Sequence, residues 1–124
     1  MQLTPTHYVV LNLAIDESSL WALTWGAHTY DRAGKLVEIL PRLARDDARA
    51  ALRDLVASYT VELYEQASLR TLPLPDALAA IDDDANWLVP AESGREIWYA
   101  VVVSETGYET YNQAHSMFGK QFSG

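Results

Sequence analysis

Ile97-Trp98-Tyr99-Ala100-Val101-Val102-Val103 decides the fold class of this chain. It is apolar throughout, rich in β-branched and aromatic residues, and closed off by Glu96 and Ser104. A run without polar alternation reads as a strand, Glu96 to Ser104, at the centre of a sheet and covered on both sides. It falls far short of the ~20 apolar residues that a membrane-spanning helix needs. Trp98 and Tyr99 point to opposite faces of such a strand, so only one of them is core if the sheet is covered on one side.

Upstream, Asp46 to Leu69 predicts the main helix. Leu52, Leu55, Val56, Tyr59 and Leu63 fall at helical spacing and build one apolar stripe, with Asp46 and Asp47 at the dipole-favoured start. Thr71-Leu72-Pro73-Leu74-Pro75 reads as an extended connector, because a residue before proline is pushed out of the helical region. Pro75 then opens a short helix from Asp76 to about Ile81.

The N-terminal third reads as β structure. Tyr8 to Ile15 is apolar and reads as a strand buried on at least one face, followed by a turn at Asp16-Glu17-Ser18-Ser19. Leu20 to Tyr30 has two readings. One is a strand with Trp21, Leu23 and Trp25 on a single face; the other is a helix capped by Asp16 or Ser18 and ended by Gly34. Tyr30 to Val37 has the form of a hairpin with Gly34 at the left-handed position, which favours the strand. Leu36 to Leu40 is a third short strand, stopped by Pro41. Trp87 to Val89 reads as a brief strand, Ala91 to Gly94 as a turn, and Tyr108 to Phe118 as a strand end followed by a helical turn. Gly119 to Gly124 is expected to fray. The expectation is a single α+β domain over 1–124: a small, mainly antiparallel sheet, one long amphipathic helix on a face, and a second short helix. The 96–104 strand should insert beside the N-terminal hairpin.

The chain has 124 residues, 49% of them hydrophobic, enough for one core without staples. Its net charge of −8 argues against binding nucleic acid or an anionic membrane, which takes clustered cations. With no cysteine there are no disulfides or thiolate sites, and a reducing cytoplasmic setting fits. The first seven residues lack the basic-then-apolar order of a signal peptide. Arginine outnumbers lysine seven to two, a bias read as that of a GC-rich bacterial or phage genome.

Between Asp76 and Glu109 lie eight acids and a single cation, Arg95, interleaved with aromatics. Asp82-Asp83-Asp84-Ala85-Asn86 opens like a calcium loop, but Trp87 stands where the turn needs glycine and Ser93 where it needs a bidentate Glu. The three aspartates sit at a helix C-terminus, against the dipole, which costs a few tenths of a kcal/mol each. Trp87, directly after them, is the tryptophan expected at the surface; most of the others should be core. Arg45, Arg49 and Arg53 line one helix face, read as solvated or docked on the acidic segment rather than as a phosphate ridge. His7, His28 and His115 show no ligand spacing, and His28 is expected to be partly buried. No metal site, phosphate-cradling glycine loop, cofactor motif or nucleophile elbow is present.

The functional expectation is a small, acidic, non-enzymatic protein that binds and inhibits a basic partner of nucleic-acid-binding or nuclease type. Toxin-immunity and phage-encoded anti-defence proteins, anti-CRISPR proteins among them, are analogues in charge and size. The expected contact residues are Asp82, Asp83, Asp84, Trp87, Glu92, Glu105, Tyr108 and Glu109. The alternative is a small hydrolase or ligand-binding module with a pocket between sheet and helix, using His28 or His115 with nearby carboxylates. A homodimer joined through exposed aromatics at the sheet edge is a third reading.

Overall fold

The computed structural model describes residues 1–124. Helices α1 (Pro5–Ile15), α2 (Arg45–Ala57), α3 (Leu74–Asp82), α4 (Pro90–Ser93) and α5 (Tyr108–Phe118) accompany six strands. These are β1 (Ser18–Ser19), β2 (Ala27–Tyr30), β3 (Leu36–Leu40), β4 (Val61–Glu65), β5 (Arg70–Thr71) and β6 (Tyr99–Val103). One antiparallel sheet has the order β1-β6-β4-β5; β2 and β3 form a separate hairpin. The fold is therefore α+β, as the sequence predicts.

The 97–103 run does supply the central strand. Within β6, Val101 lies between Ser18 of β1 and Leu63 of β4. It is not joined to the N-terminal hairpin, contrary to expectation. The short β1 takes that place, and the β2–β3 hairpin stands apart.

The largest correction concerns residues 5–15, which form a helix and not a strand. Thr4 caps it: its hydroxyl accepts the His7 N–H, while His7 Nδ1 accepts the Thr4 N–H at 3.0 Å. Pro5 occupies the first turn, where its missing N–H costs nothing. Tyr8, Val9, Val10, Leu11 and Ala14 are all buried, because α1 packs against α2, α5 and β6. A helix enclosed on all sides is apolar on all sides, so no 3.6-residue rhythm survives in its sequence.

The second correction shortens the main helix. α2 ends at Ala57, where Tyr59 turns left-handed (φ 59°). The Tyr59 N–H donates to the Val56 carbonyl at 3.0 Å and the Thr60 N–H to the Leu55 carbonyl at 2.9 Å. That bond pair is the Schellman helix stop. Leu63 still reaches the core, but from β4.

Residues 20–30 resolve into a 3-10 turn, Trp21–Thr24, followed by β2, so Trp21, Leu23 and Trp25 share no strand face. The hairpin is as expected, with Gly34 at φ 80°. Trp87 to Val89, expected as a brief strand, is the end of a 3-10 turn (Asp84–Trp87) and irregular backbone, and 108–118 is a full helix instead of a strand end followed by a helical turn. The C-terminus is tied down: Ser123 bridges Glu38, and the Gly124 N–H donates to the Val37 carbonyl.

Candidate functional site

The expected contact residues of the acidic segment fall in three places, around the end of α3, on α4 and at the start of α5. The first is the end of α3. Helices α2 and α3 pack together, which lets residues four apart on α2 reach across. Arg53 pairs with Asp82 and Arg49 with Asp84, while Arg95 Nη1 lies 2.9 Å from Asp83 Oδ2. The Arg49 guanidinium holds the Asp84 carboxyl below its usual value, through its hydrogen bond first and its charge second. Arg49 and Arg53 of the α2 row are thus docked on the chain's own aspartates, while Arg45 is exposed. Three carboxylates that diverge onto three guanidinium groups do not converge on a metal ion, and no cluster of potential ligands exists elsewhere.

The same pairing offsets the placement of these acids against the α3 dipole. The helix end is closed by side chains from the following turn. Asn86 Nδ2 donates to the Ala80 carbonyl at 2.9 Å and Trp87 Nε1 to the Ile81 carbonyl at 2.8 Å, satisfying last-turn carbonyls. Trp87 is only 4% exposed, with the Arg49 guanidinium 5.8 Å from its ring centre. Expected at the surface, it is instead part of the core, because its indole N–H is needed as a helix cap. Of the other tryptophans, Trp21 and Trp98 are half-buried and pack on each other with ring centres 4.9 Å apart. Trp25 is exposed, so most of the tryptophans are not core.

Glu92 forms the second place. It lies exposed on the single turn of α4 and makes no ion pair.

Glu105, Tyr108 and Glu109 form the third, at the start of α5. All three side chains are exposed, neither glutamate is in an ion pair, and Glu109 lies in the dipole-favoured first turn. Ser104 Oγ fixes this corner by donating to the Tyr59 carbonyl at 2.7 Å. Gly107 packs so tightly on Thr60 that a Cβ would lie 2.1 Å from its carbonyl oxygen. The Tyr59 main chain is thus held at this corner, while its side chain, assigned to the helix core by the sequence reading, is 66% exposed and lines a separate apolar pocket of about 160 Å³ with Val56, Leu63 and Leu72; Tyr108 is 48% exposed.

Beside this corner runs an open groove of about 460 Å³ between the N-terminal residues and α5. Ser58 and Thr60, the neighbours of Tyr59, line it, as do Thr110, Met117, Met1 and Leu3. Thr110 and Met117 are a helical repeat of seven apart and share a face of α5. The groove is lined mainly by polar side chains, Gln2 and Gln113 among them, with Met1, Leu3 and Met117 as its apolar contacts.

A second arrangement involves the histidines. His28, expected to be partly buried, is exposed on the outer face of the hairpin, whereas His7 is buried. The His7 Nδ1 lone pair is engaged by Thr4, so Nε2 carries the proton and donates to Asp54 Oδ2 at 2.9 Å. His115 lines a pocket of about 250 Å³ with Glu38, Ser116, Lys120 and Ser123. Glu38 accepts the Tyr8 hydroxyl at 2.6 Å and Asn12 Nδ2 at 3.2 Å, and no cation in the chain pairs with it. Sequence reading missed Tyr8, Asn12 and Glu38 as a group. Tyr8 and Asn12 stand four apart, a helical pairing concealed once 8–15 is read as a strand. No helix is long and apolar enough to cross a membrane. Comparison with family models, curated proteins and solved structures finds no match to this chain.

Proposed function

We propose that this is a small acidic binding protein, non-enzymatic, that inhibits a basic protein partner in the cytoplasm through the corner formed by Tyr59, Glu105, Tyr108 and Glu109. One observation carries the reading: Glu105 and Glu109, two carboxylates without internal cations, share the start of α5 with exposed Tyr108, next to the turn of exposed Tyr59 whose carbonyl Ser104 holds. Tyrosines supply contact area at low entropic cost, methionine adapts to varied shapes, and free carboxylates steer a cationic partner. A nucleic-acid-binding or nuclease-type protein fits, since its phosphate-contacting lysines and arginines accept carboxylates in place of phosphates. That is the logic of immunity and anti-defence inhibitors, by analogy of charge and size. Asp82, Asp83 and Asp84 contribute little to this attraction, because Arg53, Arg95 and Arg49 pair with them one to one and cancel their charge at a distance.

The test is titration with a peptide of alternating lysine and leucine, followed by amide and methyl chemical shifts. Shifts should map to Tyr59, Glu105, Tyr108, Glu109 and Met117, and affinity should fall as salt rises past ~0.1 M, where screening reaches ~10 Å. Glu105→Lys with Glu109→Lys should weaken binding about tenfold or more, equivalent to ~1.4 kcal/mol, and Asp82→Asn much less. An affinity indifferent to salt, or shifts centred elsewhere, would sink the proposal.

A second reading is favoured by the pocket at Glu38 and His115, which lies between hairpin and helix as a ligand-binding module requires. Its occupant would be a small molecule carrying an amine for Glu38. If neither Glu38→Gln nor His115→Ala alters the binding of any amine in a fragment set, that reading is eliminated.

A further inference from the structure

The free edge of β2 is built to pair with itself. Along the hairpin, Ala27 faces Leu40, His28 faces Ile39 and Thr29 faces Glu38, and the Asp31 N–H donates to the Lys35 carbonyl. Main-chain groups alternate in direction along an antiparallel strand. Those of Ala27, Thr29 and Asp31 therefore point to β3, and those of His28 and Tyr30 point away from it. Neither His28 nor Tyr30 makes any main-chain hydrogen bond outside the hairpin, and β3 is the one element in extensive contact with β2. The far side of β3 is already taken by the Ser123 bridge.

Edges of this kind are usually blunted by charge, proline or shortness. The four-stranded sheet follows that rule, since its edge strands β1 and β5 have two residues each. Strand β2 is longer, with four residues, and Ala27-His28-Thr29-Tyr30 carries no Lys, Glu, Asp or Pro; its one irregularity is a register shift against β3 between Thr29 and Tyr30. The side chains flanking it on the outer face are apolar, with Tyr30 59% and Ile39 45% exposed. Charges in the hairpin (Asp31, Arg32, Lys35 and Glu38) cancel, so two copies approach here without the repulsion expected of a chain carrying −8. A further sign is Thr29 Oγ1, a buried hydroxyl with no hydrogen-bond partner in the chain. Such a group costs about 1–3 kcal/mol while it stays unpaired.

We propose that β2 pairs antiparallel with β2 of a second copy about a two-fold axis at Thr29, joining the hairpins into one four-stranded sheet, β3-β2-β2-β3. In this register His28 lies opposite Tyr30 of the second copy, and their outward N–H and C=O groups meet as complementary pairs. Thr29 lies opposite Thr29 of the second copy in the non-hydrogen-bonded position, where side chains are closest. Rotation about χ1 then pairs the two hydroxyls with each other. A two-fold axis produces antiparallel pairing from identical strands, so a second copy is the occupant that this edge matches without any added feature. The contact is smaller than the ~1,600 Å² of a standard interface, so the dimer dissociates in the micromolar range.

Sedimentation velocity of the whole chain from ~5 to ~500 μM, combined with amide hydrogen exchange, tests this. The expected result is a monomer–dimer equilibrium in which the His28 and Tyr30 amides gain protection as concentration rises. Tyr30→Lys should weaken the dimer about tenfold or more by charging the edge, and His28→Pro should do the same by removing one outward donor. Helical circular dichroism reports whether each variant is folded, and exchange in the unmodified chain needs no variant. A monomer throughout the range would overturn the proposal. So would a dimer whose His28 and Tyr30 amides stay unprotected, or one that both folded variants form unchanged.

Discussion

Tyr59 holds a backbone conformation that side chains other than glycine enter at a cost, yet it stops a helix that continues in the sequence pattern. Glycine at this C′ position is preferred by roughly 1 kcal/mol. Tyr59→Gly should therefore raise stability by about that amount in urea unfolding, while weakening binding of the basic peptide. A variant that gains stability and binds equally well would remove Tyr59 from the contact surface. Trp87 illustrates the reverse case, a residue whose chemistry serves the fold. Trp87→Phe keeps the ring but leaves the Ile81 carbonyl without its donor, and should destabilise by about 1–3 kcal/mol. No loss in thermal or urea unfolding would show that water replaces the indole N–H.

The α2–α3 pair shows how charge is used at the scale of elements. Asp84 is held below its ordinary carboxyl value by Arg49, so it favours the folded state above the unfolded carboxyl range. That contribution disappears as pH falls through the depressed folded value. The carboxylate is exposed, so the effect is small, and Asp84→Asn should leave neutral-pH stability almost unchanged. In carbon-detected titration Asp84 should nonetheless protonate below the ordinary carboxyl range; protonation within that range would show that the Arg49 pair does not persist in solution. Elements with a one-sided environment were legible in the sequence. The apolar stripe of α2, the Pro75 start of α3, the Gly34 hairpin and the central β6 all show in periodicity or turn chemistry. What escaped has a physical cause in each instance. Helix α1 is buried on every side, so its pattern has no period, and only Thr4-Pro5 marks its start. The stop of α2 rests on a tyrosine where glycine is the usual signal. Of the expected contact residues, Glu105, Tyr108 and Glu109 share a free surface, whereas Asp82, Asp83 and Asp84 meet arginines distant in sequence, a match that exists only once α2 and α3 pack.

Across the whole molecule, hairpin, α1 and the C-terminal segment meet at Tyr8. Its ring stacks on Phe122 and Tyr111 at 5.7 and 6.3 Å between centres, and its hydroxyl donates to Glu38 of β3. Burial, and next the hydrogen bond to Glu38, push the Tyr8 phenol well above its ordinary value of 10.0; burial raises Tyr111 as well. Both phenols keep their protons in the folded state at pH values where an unfolded chain has released them. Their contribution to stability is thus complete below about pH 10, where unfolded tyrosine titrates, and is lost progressively as pH rises toward the elevated folded values. Alkaline titration followed by tyrosinate absorbance together with helical circular dichroism tests this. Tyr8 and Tyr111 ionise only together with loss of helicity, because deprotonating Tyr8 sets a phenolate against the Glu38 carboxylate and frees the hairpin from α1. Tyr8→Phe removes that trigger, so its unfolding should move to higher pH even though the variant is less stable at neutral pH for want of a donor to Glu38. An alkaline midpoint identical in the two proteins would mean that the junction of hairpin, α1 and C-terminal segment is not what yields first.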